Sequence, residues 1–325
     1  MKEKILELLM HHNGKCLSGQ DLSQSLGISR TAVWKHIKSL QELGYPIQSI
    51  DRKGYQLDPE ESFLLASEIK KRLGTKTIGT HITVLPSIES TNLYAKEMQD
   101  QLSDGDVVIA EEQTQGKGRR GKAWSSPRGK GIWATIFLKP TFSVEKASST
   151  TQLAAAAMWQ SIYHNTGIKC EIKWPNDLLI NGKKICGILT ELTGEIGQIE
   201  YLLVGLGLNV NNIDFPDEIK DVATSLRLAT GRNVNRTELL IEFLQMFEVF
   251  YTQMEREHSS ERALRIIREN SSVLGRPLHV IRGGMTMRAM GIRILENGNL
   301  EVEYEDKSRE ILSGGEVSVR NMERV

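Results

Sequence analysis

The sequence predicts an α+β protein in three parts: three short helices closed by a β-hairpin, a central mixed sheet with helices grouped beside it, and a small C-terminal β unit. Three observations carry this. Apolar residues recur at helical spacing in capped stretches before Gly44, then alternate at strand spacing from Ile47 to Leu57. In the middle of the chain, strand-like runs are joined by a hairpin signal, Asn181-Gly182, rather than by regular strand–helix–strand alternation. Beyond Gly275-Arg276-Pro277 come short alternating stretches around an Asn297-Gly298 turn, the pattern of a small β-barrel.

Ile5, Leu6, Leu8 and Leu9 make a helical stripe over residues 2–12. Ser18-Gly19-Gln20-Asp21 has the form of a capping box opening a second helix, and Gly27 takes the position after its end. Ser29 caps a third helix, which Gly44 stops. Two short helices joined at Gly27-Ile28 make a helix-turn-helix. On the third helix Val33, Ile37 and Leu40 should face the core, and at ~100° per residue Thr31, Lys35 and Lys38 fall on the opposite side. Arg30 stands at the N-terminus, where recognition helices meet the major groove. The alternating stretch that follows is a wing with Arg52 and Lys53 at its tip. Ser29, Arg30, Thr31, Lys35, Lys38, Arg52 and Lys53 are therefore the candidate DNA contacts. A protein-binding three-helix module with a solvated lysine face is the competing reading; cap, turn, basic face and wing agree on DNA. The polar Asp58-Pro59-Glu60-Glu61 makes a linker. The expected division is 1–58, 62–270 and 275–325.

Overall charge points to no partner, since Lys plus Arg and Asp plus Glu are 41 each. Its distribution is more useful: residues 1–57 carry eight basic against five acidic residues, and residues 111–130 carry six against two. Cys16, Cys170 and Cys186 form no CxxC pair, and an odd count argues against a disulfide framework. No histidine pair has zinc spacing. No signal peptide opens the chain, and no apolar stretch approaches the ~20 residues needed to cross a bilayer. A reduced, cytoplasmic protein is expected.

Within the central part, a helix is expected over Ser62–Leu73, then a strand near His81–Leu85, then Ser90-Thr91-Asn92 at the start of a further helix. Exposed N–H groups and polar side chains there suit a carboxylate or amide-like ring, and simple N-capping explains them equally well. The strand Asp106–Ala110 leads through Gln113 into Gly116-Lys117-Gly118-Arg119-Arg120-Gly121. Glycines at every second or third position allow positive φ and close approach, and the basic side chains suit phosphate. The spacing matches neither the dinucleotide fingerprint nor the P-loop. Trp124 ends the loop, either as packing or as a ligand cover. A strand Gly131–Leu138 and a small-residue helix Ala147–Asn165 follow. Lys173-Trp174-Pro175-Asn176-Asp177 then opens the hairpin Glu171–Ile180 and Lys183–Leu192, whose alternation puts Lys183 and Lys184 on opposite faces. A strand Glu200–Asn209 holds Gly205 and Gly207, which leave room for a ligand on one face. Asn235-Arg236-Thr237-Glu238 is a capping box for an apolar helix.

The basic glycine loop together with Lys-Trp-Pro-Asn-Asp, Ser90-Thr91-Asn92 and the hairpin make residues 63–325 similar to biotin–protein ligases. With the N-terminal segment, the whole chain resembles the bifunctional family that combines biotin ligase with biotin-operon repressor. One departure is visible: the family's loop usually begins Gly-Arg-Gly-Arg, and here Lys117 replaces the first arginine, keeping a point charge but losing bidentate geometry.

The resemblance implies a class II synthetase-like ligase domain and a C-terminal SH3-like barrel. It implies biotin and ATP as substrates, with Mg²⁺ on the triphosphate. Biotin would be held by Ser90, Thr91, Asn92, Gln113, Lys117, Gly118, Arg119 and Lys184. The adenylate would lie on Gly116, Lys117, Arg119, Arg120, Trp124, Lys173, Asn176, Asn209 and Arg320. Lys184, Asp177 and Arg119 would carry catalysis. Implied partners are a biotin carboxyl carrier protein, operator DNA and, with adenylate bound, a second copy of the chain. The glycine-rich segment 116–129 and Asn211–Phe215 would close over the anhydride. A lipoate- or octanoate-type ligase of the same fold and a non-enzymatic biotin-sensing transcription factor are the alternatives.

Overall fold

The computed structural model describes all residues except 13, 59–62, 196–197, 315–317 and 322–325, and no side chain at 145 or 318–321. The N-terminal part has helices α1 (Lys2–His11), α2 (Gly19–Leu26) and α3 (Arg30–Glu42), then a hairpin of β1 (Ile47–Ile50) and β2 (Gly54–Leu57). The Ser18–Asp21 capping box is complete, and Gly27 adopts the left-handed conformation after α2. Ser29 accepts from the Ala32 N–H at 3.2 Å, a cap worth about 1 kcal/mol. Gly54, at φ 117°, lies so close to the Leu17 carbonyl that a Cβ would come within 2.1 Å of it. The linker reading at 59–61 lies outside the described residues.

The expected helix over 62–73 is shorter. Helix α4 spans Ala66–Leu73, and Phe63, Leu64 and Leu65 are buried before it. Phe63 and Leu65 complete the core of the N-terminal part, with Phe63 edge-on to Tyr45 at 4.8 Å, while Leu64 joins the central core. An apolar triplet split between two cores cannot lie on one helix face, and this overrides local helix propensity.

The central sheet holds β3 (Ile82–Leu85), β4 (Val107–Ala110), β5 (Gly131–Leu138), β6 (Glu171–Lys173), β7 (Asp177–Ile180), β8 (Lys183–Glu195) and β9 (Gln198–Asn209). Its order is β3-β4-β5-β9-β8-β7-β6, with β3 and β4 parallel and the other pairs antiparallel. The stretch Glu171–Ile180 expected as one strand is two strands joined by a turn. Lys173 pairs with Asp177 across Trp174-Pro175-Asn176, because proline cannot donate to the ladder. The Trp174–Pro175 peptide is cis. At the next turn, Asn181 and Gly182 both have positive φ, as a two-residue hairpin loop requires.

Strand alternation gives the sheet two faces. Ile132, Ala134, Ile136, Leu202, Val204, Leu206 and Leu208 pack into the main core under the long helices α6 (Val144–Thr166) and α8 (Arg236–Glu257). The run Ala154–Ala157 on α6 is fully buried, its small side chains permitting close approach. On the other face, Thr135 and Phe137 of β5 and Leu203 and Gly205 of β9 meet helix α5 (Thr91–Glu97), whose Ala95 packs with Phe137 and Leu203. Short helices α7 (Leu226–Thr230) and α9 (Glu261–Glu269) flank α8. Half of the box expected at Asn235 forms: its side chain accepts from Thr237 and Glu238 N–H groups, but Glu238 turns away to bind Arg72.

The C-terminal part is a five-stranded antiparallel sheet of β10 (Pro277–Arg282), β11 (Met285–Ile294), β12 (Leu300–Tyr304), β13 (Arg309–Leu312) and β14 (Ser318–Asn321), in the order β13-β12-β11-β10-β14. Among the described residues no helix is long and apolar enough to cross a membrane.

Candidate functional site

The site forms on the sheet face that carries α5. Ser90 caps that helix, and Ser90, Thr91 and Asn92 are all buried. Thr91 donates through its N–H and its hydroxyl to Gln113 Oε1, at 2.8 and 3.0 Å. Gln113 Nε2 donates to Ser126 Oγ at 3.0 Å, so the two ends of the basic loop are tied together. The Asn92 carboxamide is engaged at both ends: Nδ2 donates to Glu191 at 2.6 Å and Oδ1 lies 2.6 Å from the Thr135 hydroxyl. It therefore fixes the helix start against the sheet. Thr135, Ser126 and Glu191 had no signal in the sequence, since only strand pairing brings them here.

The basic loop is a small hairpin in which Lys117 bridges Ala123 and the Gly118 N–H donates to the Lys122 carbonyl at 2.7 Å. Positive φ occurs at Arg120 and Gly121, not at Gly116 or Gly118. Gly116 is required instead by proximity, since a Cβ there would meet the Trp124 carbonyl at 2.5 Å. Lys117 and Arg120 are exposed, while Arg119 is half-buried. The Arg119 guanidinium donates to Asn176 Oδ1 at 3.1 Å and to the Gly314 carbonyl. Burial lowers its pKa from the ordinary arginine value, opposed by the nearby Asp177 carboxylate. Asn176 in turn donates to the Ile188 carbonyl at 2.9 Å, which locks the turn of the Lys-Trp-Pro-Asn-Asp motif to β8.

Beside that turn, Lys184 Nζ lies 2.6 Å from Asp177 Oδ1 and 5.0 Å from the centre of the Trp124 ring. Alternation separates the two lysines as expected, and Lys183 reaches outward to the Lys220 carbonyl. Gly187 and Gly207 are paired across β8 and β9, and Trp124 lies on them. A Cβ on Gly207 would meet Trp124 Nε1 at 2.5 Å, and one on Gly205 would meet Asn92 Oδ1 at 2.4 Å. The room left by these glycines is thus occupied by Trp124 and Asn92. The Trp124 Nε1 is buried with no hydrogen-bond partner among the described residues.

Two further segments frame the site. Val222–Thr224 runs beside Lys184, with Lys184 N–H donating to the Val222 carbonyl and Thr224 N–H to the Lys184 carbonyl. Asn209, at the end of β9, donates to the Thr224 carbonyl at 3.2 Å. Lys173 stands at the end of β6, opposite Asp177. The backbone of Arg320 pairs with His279 in β14, and its side chain lies outside the described residues. The structure therefore gathers Ser90, Thr91, Asn92, Gln113, Arg119, Trp124, Asn176, Asp177 and Lys184 in one linked constellation, with Lys117 and Arg120 on its exposed loop. On the N-terminal part, Arg30, Thr31, Lys35 and Lys38 form an exposed face, with Arg52 and Lys53 exposed at the wing tip. Ser29 acts there as the cap of α3.

A basic winged helix-turn-helix ahead of this constellation has counterparts among known proteins. Residues 2–56 match an HTH domain family and residues 84–209 the Biotin/lipoate A/B protein ligase family. The bifunctional ligase/repressor BirA of Bacillus subtilis is 41% identical over 254 residues, 77% of this chain and 78% of that protein. BirA of Escherichia coli is 30% identical over 321 residues, 99% of this chain and 98% of that protein. The biotin protein ligase of Aquifex aeolicus, solved in complex with biotin and ATP, has a TM-score of 0.67 at 28% identity, covering 74% of this chain and 99% of that one. With both parts matched and the E. coli likeness running nearly end to end, the chain belongs to the bifunctional ligase/repressor family.

Proposed function

We propose that this chain activates biotin with ATP, transfers it to a lysine of a carrier domain, and represses transcription while holding the intermediate. Residues 1–58 bind DNA, 62–270 carry the ligase site, and 275–325 make the C-terminal domain, whose Gly314 carbonyl accepts from Arg119. The observation that carries the reading is the Lys184–Asp177 pair at 2.6 Å beneath Trp124, beside the Arg119–Asn176 contact.

Joining a carboxylate to an amine in water needs activation. The biotin carboxylate oxygen attacks the α-phosphorus of ATP and pyrophosphate leaves, giving the mixed anhydride biotinyl-AMP. Two anions must meet, so preorganised positive charge offsets their repulsion. Lys184 holds the reacting carboxylate and phosphate, and Arg119, Lys117 and Arg120 line the phosphates. Thr91, Gln113 and the start of α5 take the ureido end of biotin, while Trp124 covers the adenylate. The carrier lysine then attacks the acyl carbon, AMP departs, and Asp177 orients the incoming amine. Among the described residues no group of three His, Cys, Asp or Glu is placed to hold a metal ion. Mg²⁺ is assigned to the ATP phosphates, its usual setting in nucleotide sites.

The anhydride is also the corepressor. Closing the basic loop over it alters the surface beside the sheet and favours a symmetric dimer that spans two half-sites. Ligand binding and dimerisation then strengthen each other reciprocally. Unbiotinylated carrier draws off the adenylate and relieves repression, which places both activities in the cytoplasm.

Incubation with biotin, ATP and a carrier domain tests the reading. Pyrophosphate release without carrier, then a biotinylated lysine and AMP with it, are expected. A pure effector sensor transfers nothing, and a lipoyl-type ligase works only when lipoate or octanoate replaces biotin. Sedimentation and DNA binding with and without a non-hydrolysable adenylate analogue test the second activity; no change in either removes the coupling.

A further inference from the structure

The recognition helix carries one side chain that its core does not use. Trp34 lies on α3 with half of its surface exposed, whereas Val33, Ile37 and Leu40 of the same helix are buried. Among the described residues of α3 it is the only large apolar side chain left exposed. An indole in water contributes little to folding, because its hydrophobic stabilisation depends on burial. Its surroundings are basic. The Lys38 ammonium stands 5.3 Å from the ring centre, a cation–π contact that covers one face of the indole and adds positive charge beside it. Arg30, Thr31 and Lys35 are exposed nearby.

Position on the helix narrows the role. Trp34 is the fifth residue of α3, in the N-terminal half that meets base edges in helix-turn-helix complexes. It shares a stripe with Gln41, seven residues on, whose amide donates to the Ile47 carbonyl of the wing at 2.8 Å. The indole therefore lies on the flank of the recognition helix that faces the wing. In the major groove the apolar feature of a base edge is the thymine 5-methyl group.

We propose that Trp34 reads sequence directly, laying its indole against a thymine methyl in each half-site while Lys35 and Lys38 hold phosphates. This rests on the repressor reading of the N-terminal part. The chemistry is apolar contact, so an N–H bond to a phosphate would be a different role and would carry no sequence information.

The test uses the full chain with biotin and ATP present. Duplexes from a random pool are selected by the wild type, and each thymine of the enriched site is then replaced by deoxyuridine, which removes only the methyl. One position per half-site should weaken wild-type binding by about fourfold, the worth of one buried carbon. Trp34→Ala, melting at the wild-type temperature, should bind the site more weakly and be indifferent to that replacement. Trp34→Phe, which keeps an apolar ring without the N–H, should retain sensitivity. Indifference of the wild type at every thymine, or equal sensitivity in Trp34→Ala, overturns the proposal. An equal loss for Trp34→Ala on selected and scrambled DNA also overturns it, as the mark of a phosphate contact. Failure of the wild type to enrich any site overturns the repressor reading, and the Trp34 assignment with it.

Discussion

Glu111 is the buried charge on which the ligase strand, the long helix and the interdomain segment all depend. Its side chain is 0% exposed and pairs at 3.0 Å with Arg236, itself 1% exposed at the start of α8. Arg236 also donates to the Gly131 carbonyl at 2.9 Å, and the Leu64 N–H donates to Glu111 Oε1 at 2.5 Å. Glu111→Gln keeps the shape but removes the charge, leaving Arg236 buried without its counter-ion and setting an amide against the Leu64 N–H. Breaking one partner of such a pair costs about 3–5 kcal/mol. For 325 residues unfolding as one unit, at about 2.1 cal/mol/K per residue, the entropy is about 0.7 kcal/mol/K, so the midpoint should fall by about 4–7 °C. Calorimetry measures this, and hydrogen exchange at the Leu64 amide should accelerate in parallel. Glu111→Gln combined with Arg236→Met should recover part of the loss, because the stranded charge is gone. A single-variant shift under about 1 °C, or strictly additive losses in the double variant, would refute the argument.

Lys184→Met should lower adenylate formation by about 10²–10³ in rate, the scale for losing one preorganised partner of a developing charge. Its melting point should hardly move, since Lys184 and Asp177 both keep contact with solvent; pyrophosphate release and calorimetry separate the two effects. Gly207→Ala places a methyl 2.5 Å from Trp124 Nε1 and must lift the indole off the sheet, so affinity for a non-hydrolysable biotinyl-adenylate analogue by titration calorimetry should fall at least about tenfold, roughly 1.4 kcal/mol. Burial raises the Cys170 thiol to about 12 and Cys186 well above its usual range, so both stay protonated as pH rises through 9. Iodoacetamide at pH 8 should therefore label native protein at the partly exposed Cys16 alone, as read by mass spectrometry, and all three cysteines after unfolding.

Much of the fold was legible because its signals are local. Ser18, Gly27, Ser29 and Gly44 punctuate the first three helices where capping chemistry requires, and Asn181-Gly182 forms the turn its residues favour. What the sequence hid is what distant contacts decide. Phe63 to Leu65 carry helix-compatible side chains, yet burial in two cores holds them outside α4. Gly205 and Gly207 announced a need for room without saying that Asn92 and Trp124 fill it. The basic loop showed a similar limit. Its glycine spacing implied repeated positive φ, whereas Gly116 is demanded by proximity to the Trp124 carbonyl. Thr135, Glu191 and Gly314 belong to the site only because the chain folds them there, and no motif marks them.

The segment from Gln113 to Gly131 is where the separate parts of the chain meet. At its start Gln113 joins Thr91 to Ser126, and in its middle Arg119 ties Asn176 to the Gly314 carbonyl beyond β13. Near its end Arg128 pairs with Glu112 at 2.9 Å and donates at 3.1 Å to the Leu43 carbonyl at the C-terminus of the recognition helix. A cation there satisfies an open carbonyl and complements the helix dipole. A ligand that orders this segment acts on residues whose side chains also contact the C-terminal part and the end of α3. The proposed coupling of catalysis to DNA recognition has a route through this one loop, so a substitution that loosens the loop should disturb both.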